Sequence, residues 1–175
     1  MDTKFGKVII RDAEIGDLPG LIPIYKKVFE KHNIFQQTEG EILVYLEESH
    51  QKNLEVGGGY MTAVLEEKVV GGLLLKKHSE DPIGKHVLWR LNHVAINPEY
   101  TRQKIGSRLL EAVDKKIKSH IEEGNYKTAK IELGVSENER EILPFFERNG
   151  FEVEGKLKSH YRWHELAYVL GKVLS

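Results

Sequence analysis

The chain has 175 residues, of which 40% are hydrophobic and 30% charged, and its 26 basic and 27 acidic side chains give a formal net charge of −1. This balance argues against a protein that binds nucleic acid without sequence preference, because such proteins carry a basic excess. The sequence contains no cysteine, which excludes disulfides, thiolate metal sites and cysteine nucleophiles.

Hydrophobic periodicity and turn residues predict seven strands and four helices. In chain order these are strand 7–11, helix 17–32, helix 39–51, strands 59–67, 68–78 and 86–96, helix 104–122, strand 128–135, helix 136–150 and strands 151–158 and 160–174.

Local signals support several of these boundaries. Asp17 is a candidate N-cap for the first helix. Thr38 with Glu41 matches the capping-box pattern T-x-x-E, and Ser136 with Glu139 matches S-x-x-E. Pro144 falls inside the fourth helix, where its missing N–H and its ring predict a kink.

The order of elements predicts the fold class. Antiparallel strands come first and a β-α-β-α-β run follows, so we expect an α/β (α+β) mixed sheet with parallel neighbours in its middle. The length favours a single domain over 1–175. No stretch is apolar enough for a signal peptide or a membrane span, so we expect a soluble, cytoplasmic protein with no membrane partner.

The stretch 97–110, NPEYTRQKIGSRLL, links the fourth predicted strand to the third helix. A helix N-terminus has unpaired N–H groups and a partial positive charge, so after a strand it favours a pyrophosphate. Arg102, Lys104 and Arg108 add cations, and Ser107 adds a hydroxyl. The stretch therefore indicates an anion site, and the alternative is an ordinary solvated helix start.

In this setting the chain resembles the GNAT superfamily of N-acetyltransferases. VAINPEYTRQKIGSRLL (94–110) is similar to that family's acetyl-CoA loop, whose core is [RQ]-x-x-G-x-[GA]. VSENEREILPFFERNGFEVEG (135–155) is similar to its second motif. RDAEIGDLPGLIPIY (11–25) is similar to its opening, and GKLKSHYRWHELAYVLGKVL (155–174) to its closing hairpin.

The resemblance implies a GNAT-like fold: a central mixed sheet of about seven strands, flanked by about four helices and splayed between the fourth and fifth strands. It implies acetyl-CoA as cosubstrate and no metal. Backbone groups of Val94, Ala95 and Ile96 would bind the pantetheine. The residues implied at the pyrophosphate are Arg102, Gln103, Lys104, Ile105, Gly106 and Ser107.

Two positions of the loop depart from the family pattern. Thr101 stands where the family has Arg or Gln, and Lys104 stands at the first glycine. We expect Lys104 to adopt a helical φ, to donate its amide, and to replace part of the missing charge with its ammonium. The alternative is that Lys104 crowds the phosphate.

The second motif departs from the family as well. The family's cofactor-contacting asparagine aligns with Glu139, and Asn138 lies one residue upstream. A kink or bulge near Pro144 would absorb one residue and return Asn138 to the site.

The candidates for the general base are weak. The positions that carry the base in the family correspond to Arg90 and Asn92. His93 titrates in the right range, but alternation puts it on the opposite face unless a bulge turns it, and a strand histidine in a packing role is the alternative. Glu132 on the fifth strand is a second candidate, with a surface carboxylate as the alternative. A water relay ending on Asn92 or on backbone carbonyls needs no base.

The family's general acid is a tyrosine, and its position here is Phe146. Tyr161 and Tyr168, on the predicted last strand, are the substitutes, with a purely structural role as the alternative. The histidines show no metal spacing.

The resulting prediction is an acetyl-CoA-dependent N-acetyltransferase acting on a primary amine: a small molecule, a polyamine, or a protein lysine or N-terminus. A catalytically weak or inactive CoA-binding module is the alternative, and a nucleic-acid-binding domain is disfavoured by charge. The sequence does not decide the oligomeric state, and the final strand could pair across a homodimer.

Overall fold

The computed structural model describes residues 2–175. Its strands are Asp2–Thr3 (β1), Gly6–Asp12 (β2), Gly59–Leu65 (β3), Lys68–Asp81 (β4), His86–Ile96 (β5), Thr128–Ser136 (β6), Glu152–Lys158 (β7) and Leu166–Leu174 (β8). Its α-helices are Leu18–Val28 (α1), Glu39–Leu54 (α2), Ile105–Glu123 (α3) and Leu143–Arg148 (α4). Short 3₁₀ helices cover Ile15–Asp17, Asn33–Gln36, Pro98–Tyr100 and Glu137–Ile142.

The strands are ordered β1-β2-β3-β4-β5-β6-β8-β7. β5 and β6, the fourth and fifth predicted strands, are parallel, with a register from His86↔Thr128 to Arg90↔Glu132. The β2–β3, β3–β4, β6–β8 and β7–β8 pairs are antiparallel. The predicted mixed sheet with a parallel pair in its middle is therefore confirmed. The two-residue strand β1, which pairs with β2, was not predicted.

Backbone contacts divide the chain into two compact units. The first extends to Lys76 and includes His93–Lys115, and the second comprises Lys77–Asn92 and Lys116–Ser175. In the first unit, α1 and α2 bury their apolar faces in one core. Its fully buried members include Leu18, Leu21, Tyr25, Ile42, Leu46 and Tyr60.

The two predicted N-caps of the first unit have different outcomes. At α2 the Thr38 hydroxyl accepts the Glu41 N–H at 3.3 Å and the Glu41 carboxylate accepts the Thr38 N–H at 2.9 Å, so the capping box is confirmed. α1 begins after Asp17 as predicted, but the Asp17 carboxylate makes no cap hydrogen bond to α1. It accepts the Glu14 N–H and the Arg11 guanidinium instead.

The second unit corrects the predicted last strand. Its strand β8 begins at Leu166, and residues 159–165 form turns and bends. β8 lies between β6 and β7, so both of its edges are paired. β8 therefore has no free edge with which to pair across a dimer, and the homodimer itself stays a prediction.

The fourth predicted helix is broken into two. Glu139 has non-helical angles (φ −120°, ψ 15°) inside the 3₁₀ segment. Pro144 stands in the first turn of α4, where its missing N–H would have had no helical partner. The Ser136 hydroxyl accepts the Asn138 N–H at 3.1 Å, so the predicted capping box with Glu139 is wrong.

Within residues 2–175, none of the helices has the combination of length and apolar character that crossing a bilayer requires.

Candidate active site

The predicted anion loop lies between β5 and α3 in the first unit. Asn97 donates its N–H to the Val70 carbonyl at 2.8 Å, and its side chain accepts the Glu99 N–H at 3.1 Å. The Lys104 carbonyl accepts the Arg108 N–H at 3.0 Å, so α3 starts directly after Lys104. The first amides of α3, at Ile105, Gly106 and Ser107, therefore have no partner within the helix.

Two residues of this loop have left-handed backbones. Arg102 has a φ of +60° and Lys104 a φ of +61°. The expectation that Lys104 has a helical φ is wrong: it adopts the conformation that a glycine adopts without strain. A lysine there costs about 1–2 kcal/mol locally. Such strain persists where the surrounding structure fixes the backbone, and it concentrates at ligand-binding segments.

The N-terminal hairpin contacts the loop. The Lys4 N–H donates to the Gln103 side-chain oxygen at 3.3 Å, and the Phe5 ring meets the Tyr100 ring edge-on at 4.9 Å between centroids. The Gln103 side chain is therefore used to hold the loop.

The end of β5 approaches β4 closely, at a glycine. A Cβ on Gly71 would lie 2.9 Å from the Ala95 carbonyl oxygen and 2.5 Å from a methyl group of Ile96. Ala95 is buried, while Val94 and Ile96 are partly exposed. The structure thus places these three residues directly before the anion loop.

His93 marks a bulge in β5. Its φ is +55°, and its ring contacts α1, the 3₁₀ helix Asn33–Gln36 and α2: the ring centroids of Tyr25, Phe35 and Tyr45 lie 5.6, 5.0 and 5.9 Å away. The Tyr60 hydroxyl lies 3.3 Å from its Nδ1. The bulge that would turn His93 out of simple alternation is therefore present.

The surroundings of His93 keep it neutral. Burial, with smaller contributions from His32 and Lys76, lowers the pKa of His93 to about 3. A base is most efficient when its pKa lies near the working pH. His93 is therefore a poor general base, and its contacts are those of a packed histidine.

The other base candidates lie in the second unit. Asn92 is exposed on β5. The Glu132 carboxylate lies 3.2 Å from the Lys130 ammonium and 3.8 Å from the Arg90 guanidinium. Both cations therefore already occupy the Glu132 carboxylate.

Tyr161 occupies a different place from the one predicted. It lies in the 159–165 loop, and its side chain is 50% exposed. Its hydroxyl sits directly over Gly134 of β6, where any Cβ would overlap it. Burial, followed by the charges of Glu139 and Glu165, raises the pKa of Tyr161. The phenol is therefore an O–H donor at neutral pH.

A buried carboxylate anchors the Tyr161 loop. Glu165 is 6% exposed, accepts the Ser136 hydroxyl, and accepts the Arg162 guanidinium at 2.9 Å. The Leu166 N–H donates to the Glu137 carboxylate at 2.7 Å. These two hydrogen bonds, from Ser136 to Glu165 and from Leu166 to Glu137, join the 159–165 loop to the end of β6, next to Asn138.

The family's tyrosine position has no replacement hydroxyl. Phe146 is 4% exposed and packs against Phe145 and Phe151. Tyr168 lies on β8 beneath the Lys156 ammonium, 5.4 Å from the ring centroid. Among residues 2–175, no three His, Asp or Glu side chains cluster in a way that could hold a metal ion.

Sequence reasoning missed Gly134, Glu165 and Tyr60. An isolated glycine inside the strand pattern 128–135 was the one available signal, because such glycines mark the close approach of another group. Nothing in the sequence distinguishes the buried Glu165 from the surface carboxylates around it.

A family model described as an acetyltransferase (GNAT) domain matches residues 57–153, more than half of the chain. The chain belongs to the GNAT acetyltransferase family. The matched region runs from the start of β3 into β7 and contains the anion loop. No curated protein matches the sequence of this GNAT protein.

Solved structures share the fold of this GNAT protein. An aminoglycoside 6′-N-acetyltransferase complexed with coenzyme A is 16% identical, with a TM-score of 0.69, 94% of this chain covered and 96% of that one. A ribosomal-protein-alanine N-acetyltransferase from Brucella melitensis is 20% identical (TM-score 0.68; 95% and 99% covered). A spermidine N-acetyltransferase chimera that includes Vibrio cholerae sequence is 16% identical (TM-score 0.67; 95% of each chain). These three proteins are named for different acceptors, so the shared fold does not select one.

Proposed function

We propose that this GNAT protein is an acetyl-CoA-dependent N-acetyltransferase that moves an acetyl group to a primary amine. The anion loop carries the proposal. It presents the first amides of α3 behind the left-handed Lys104, with exposed cations at Arg102, Lys104 and Arg108. Backbone N–H groups and cations in this arrangement favour a pyrophosphate. The structural relative solved with coenzyme A has the same fold.

Each cofactor residue has a separate role in the proposal. The backbone groups of Val94, Ala95 and Ile96 hold the pantetheine, and a β5 N–H stabilises the oxyanion. The loop residues 102–107 hold the pyrophosphate. Asn138 would touch the cofactor; the irregularity that supports this assignment lies at Glu139, and not at Pro144 as predicted.

The reaction forms one bond and breaks another. The neutral amine attacks the thioester carbonyl carbon, the C–N bond forms, the C–S bond breaks, and the amine proton leaves. His93 is too weak a base and Glu132 is paired with cations, so we propose that the proton leaves through water near Asn92. Turnover should then rise with pH until the acceptor amine is neutral.

We assign the leaving-group proton to Tyr161. Its raised pKa keeps the phenol protonated at neutral pH, as a general acid requires. The phenol would give its proton to the departing thiolate and regain one from water. Gly134 and the Glu165 anchor act as positioning residues for this hydroxyl.

Calorimetric titration with acetyl-CoA and with CoA tests the loop first. We expect a dissociation constant of about 1–100 µM, since the ligand's phosphates meet both N–H groups and cations. Lys104→Ala should weaken binding if the ammonium contacts phosphate. Lys118→Ala, which changes an exposed lysine on α3, is the matched control. An unchanged affinity in Lys104→Ala would remove any role for the ammonium.

Release of CoA thiol in the presence of an amine panel tests turnover. The panel should contain an aminoglycoside, a polyamine and peptides with a free N-terminus or lysine. Binding without turnover by any of them would favour the alternative, a CoA-binding module that does not catalyse. The neutral His93 and the ion-paired Glu132 are the observations that favour this non-catalytic alternative. We also expect no DNA or RNA binding at low salt, where phosphate contacts are strongest.

A further inference from the structure

The side-chain alternation of β5 is inverted at His93. Upstream, the Trp89 ring meets the His120 ring of α3 edge-on, at 5.1 Å between centroids. Ala95, six positions after Trp89, belongs instead to the core formed with α1 and α2. Residues an even number apart lie on the same face of a regular strand, so β5 contains an extra residue between these two positions. The left-handed His93, with a φ of +55°, marks that bulge.

The segment after His93 is anchored to β4. Asn97 donates its N–H to the Val70 carbonyl at 2.8 Å. The Ala95 carbonyl oxygen would lie only 2.9 Å from a Cβ on Gly71. The backbone groups of residues 95 and 97 therefore point towards β4, as alternate residues of a strand do.

Val94 and Ile96 direct their N–H and C=O groups away from β4, because successive residues of a strand point these groups to opposite sides. Of the three residues proposed to hold the pantetheine, these two therefore have backbone groups free of β4, while Ala95 fixes the segment. A strand without the extra residue would exchange the roles of Ala95 and its two neighbours.

Aromatic rings surround the His93 side chain. They come from α1, the 3₁₀ helix that precedes α2, α2 itself and β3: the centroids of Tyr25, Phe35, Tyr45 and Tyr60 lie 5.6, 5.0, 5.9 and 6.5 Å from that of His93. The Tyr60 hydroxyl lies 3.3 Å from His93 Nδ1. A residue other than glycine keeps a left-handed backbone only where its surroundings fix it. These contacts supply that constraint.

Tyr60 is itself held firmly. It is fully buried in β3, and every position of that strand is buried. Its N–H donates to Nδ1 of the buried His50 of α2 at 2.9 Å. The hydroxyl that meets His93 therefore has a fixed position.

We propose that His93 is a positioning residue: Tyr60 and the surrounding rings hold its left-handed backbone, and this bulge turns the N–H and C=O groups of Val94 and Ile96 towards the pantetheine and the thioester. This role rests on the acetyl-CoA-dependent function proposed above. His93 transfers no proton in it, in agreement with the neutral ring. The side chain acts on the cofactor only through the backbone of the residues that follow.

His93→Ala and His93→Gly form a matched pair of variants. Both remove the ring and leave nearly the same cavity, but only alanine disfavours a positive φ. In calorimetric titrations the dissociation constant for acetyl-CoA should rise about tenfold or more in His93→Ala, because a smaller fraction of the protein then contains the bulge. His93→Gly should lose only about threefold. Tyr60→Phe, which removes only the hydroxyl, should weaken binding less than His93→Ala.

Backbone chemical shifts of Val94 and Ile96 in the ligand-free protein test the bulge without any cofactor. Both His93 variants lose the same ring current, so a difference between them reports the backbone. We expect His93→Gly to stay close to Tyr60→Phe and to the unchanged protein, and His93→Ala to differ from all three.

Ile22→Val is the control for a loss of stability alone. It trims a buried residue of α1 in the same core, so it should lower the free energy of unfolding and leave the affinity for acetyl-CoA unchanged. Thermal unfolding checks that each variant folds.

Equal affinities of His93→Ala and His93→Gly for acetyl-CoA would overturn the positioning role. So would altered Val94 and Ile96 shifts in His93→Ala at an unchanged affinity. If the unchanged protein binds no acetyl-CoA, the role towards the cofactor fails together with the proposed function. The shifts then still decide whether the His93 side chain holds the bulge, and identical shifts in the alanine and glycine variants would show that it does not.

Discussion

Replacing Lys104 by glycine should stabilise the protein. Lys104 holds a left-handed backbone with a φ of +61°, in which its Cβ crowds the following carbonyl. Glycine adopts the same angles without that cost. The side chain is exposed, so the change buries no new surface and empties no cavity.

The magnitude follows from two opposing terms. Relief of the left-handed strain favours the variant by about 1–2 kcal/mol. The greater freedom of glycine in the unfolded chain opposes it by about 0.5–1 kcal/mol. The net expectation is a gain of about 0.5–1 kcal/mol in the free energy of unfolding, or about 1–4 °C in Tm for a chain of this length.

Lys104→Ala is the matched control. It removes the same ammonium but keeps the Cβ, so it should leave the free energy of unfolding within about 0.5 kcal/mol of the original value. Urea unfolding of the unchanged protein, Lys104→Gly and Lys104→Ala, all without ligand, separates the effect of backbone strain from the effect of the lost ammonium charge. A glycine variant that is no more stable than the alanine variant would refute the strain argument.

The remaining predictions concern His93, Gly134 and Asp17. The folded-state pKa of His93 (about 3) lies below its ordinary value of 6.5, so the unfolded chain binds the extra proton as pH falls. Between pH 6.5 and about pH 3 the free energy of unfolding should therefore drop by up to about 1.4 kcal/mol for each pH unit. The variant His93→Phe should show a smaller difference between the unfolding free energies measured in urea at about pH 4.5 and about pH 7.5. Gly134→Ala displaces the Tyr161 hydroxyl, so kcat should fall about 10²-fold while stability stays level or rises. Tyr161→Phe should cause a similar loss, and the double variant should lose no more; additive losses would show that the two residues act separately. Asp17→Ala removes the carboxylate bonded to the Arg11 guanidinium at 2.6 and 3.0 Å and leaves that guanidinium with the exposed Glu14 carboxylate at 3.3 Å. The free energy of unfolding in urea should therefore fall by about 2 kcal/mol. A loss below about 1 kcal/mol would place the Arg11–Asp17 pair among ordinary surface ion pairs.

Strong local signals allowed most of the fold to be predicted from sequence. The strand 86–96 is found with the same limits, and the Thr38 capping box forms as its spacing requires. The hairpin turn at Glu66 and Glu67 lies at the junction of the predicted strands 59–67 and 68–78, and both of its residues are left-handed. In each case the residues that determine the structure are neighbours in sequence.

The errors occur where distant contacts decide the local structure. The 159–165 segment looks like part of a strand, yet Glu165 turns inward to Ser136 and Tyr161 folds over Gly134. Alternation along β5 could not predict a bulge at His93, because it follows polarity and not backbone angle. The left-handed Lys104 likewise contradicts the preference of lysine, and no residue next to it signals the change.

The contact between the N-terminal hairpin and Gln103 has a practical consequence. Lys4 and Phe5 hold a loop that lies about a hundred positions later in the sequence. Any affinity tag joined upstream of Lys4 would therefore sit beside the segment whose ligand affinity is being measured. A fusion at Ser175 follows β8 in the other unit of the molecule and leaves the hairpin as it is. Comparing acetyl-CoA titrations of the two fusions would report how far the first residues of the chain control the loop.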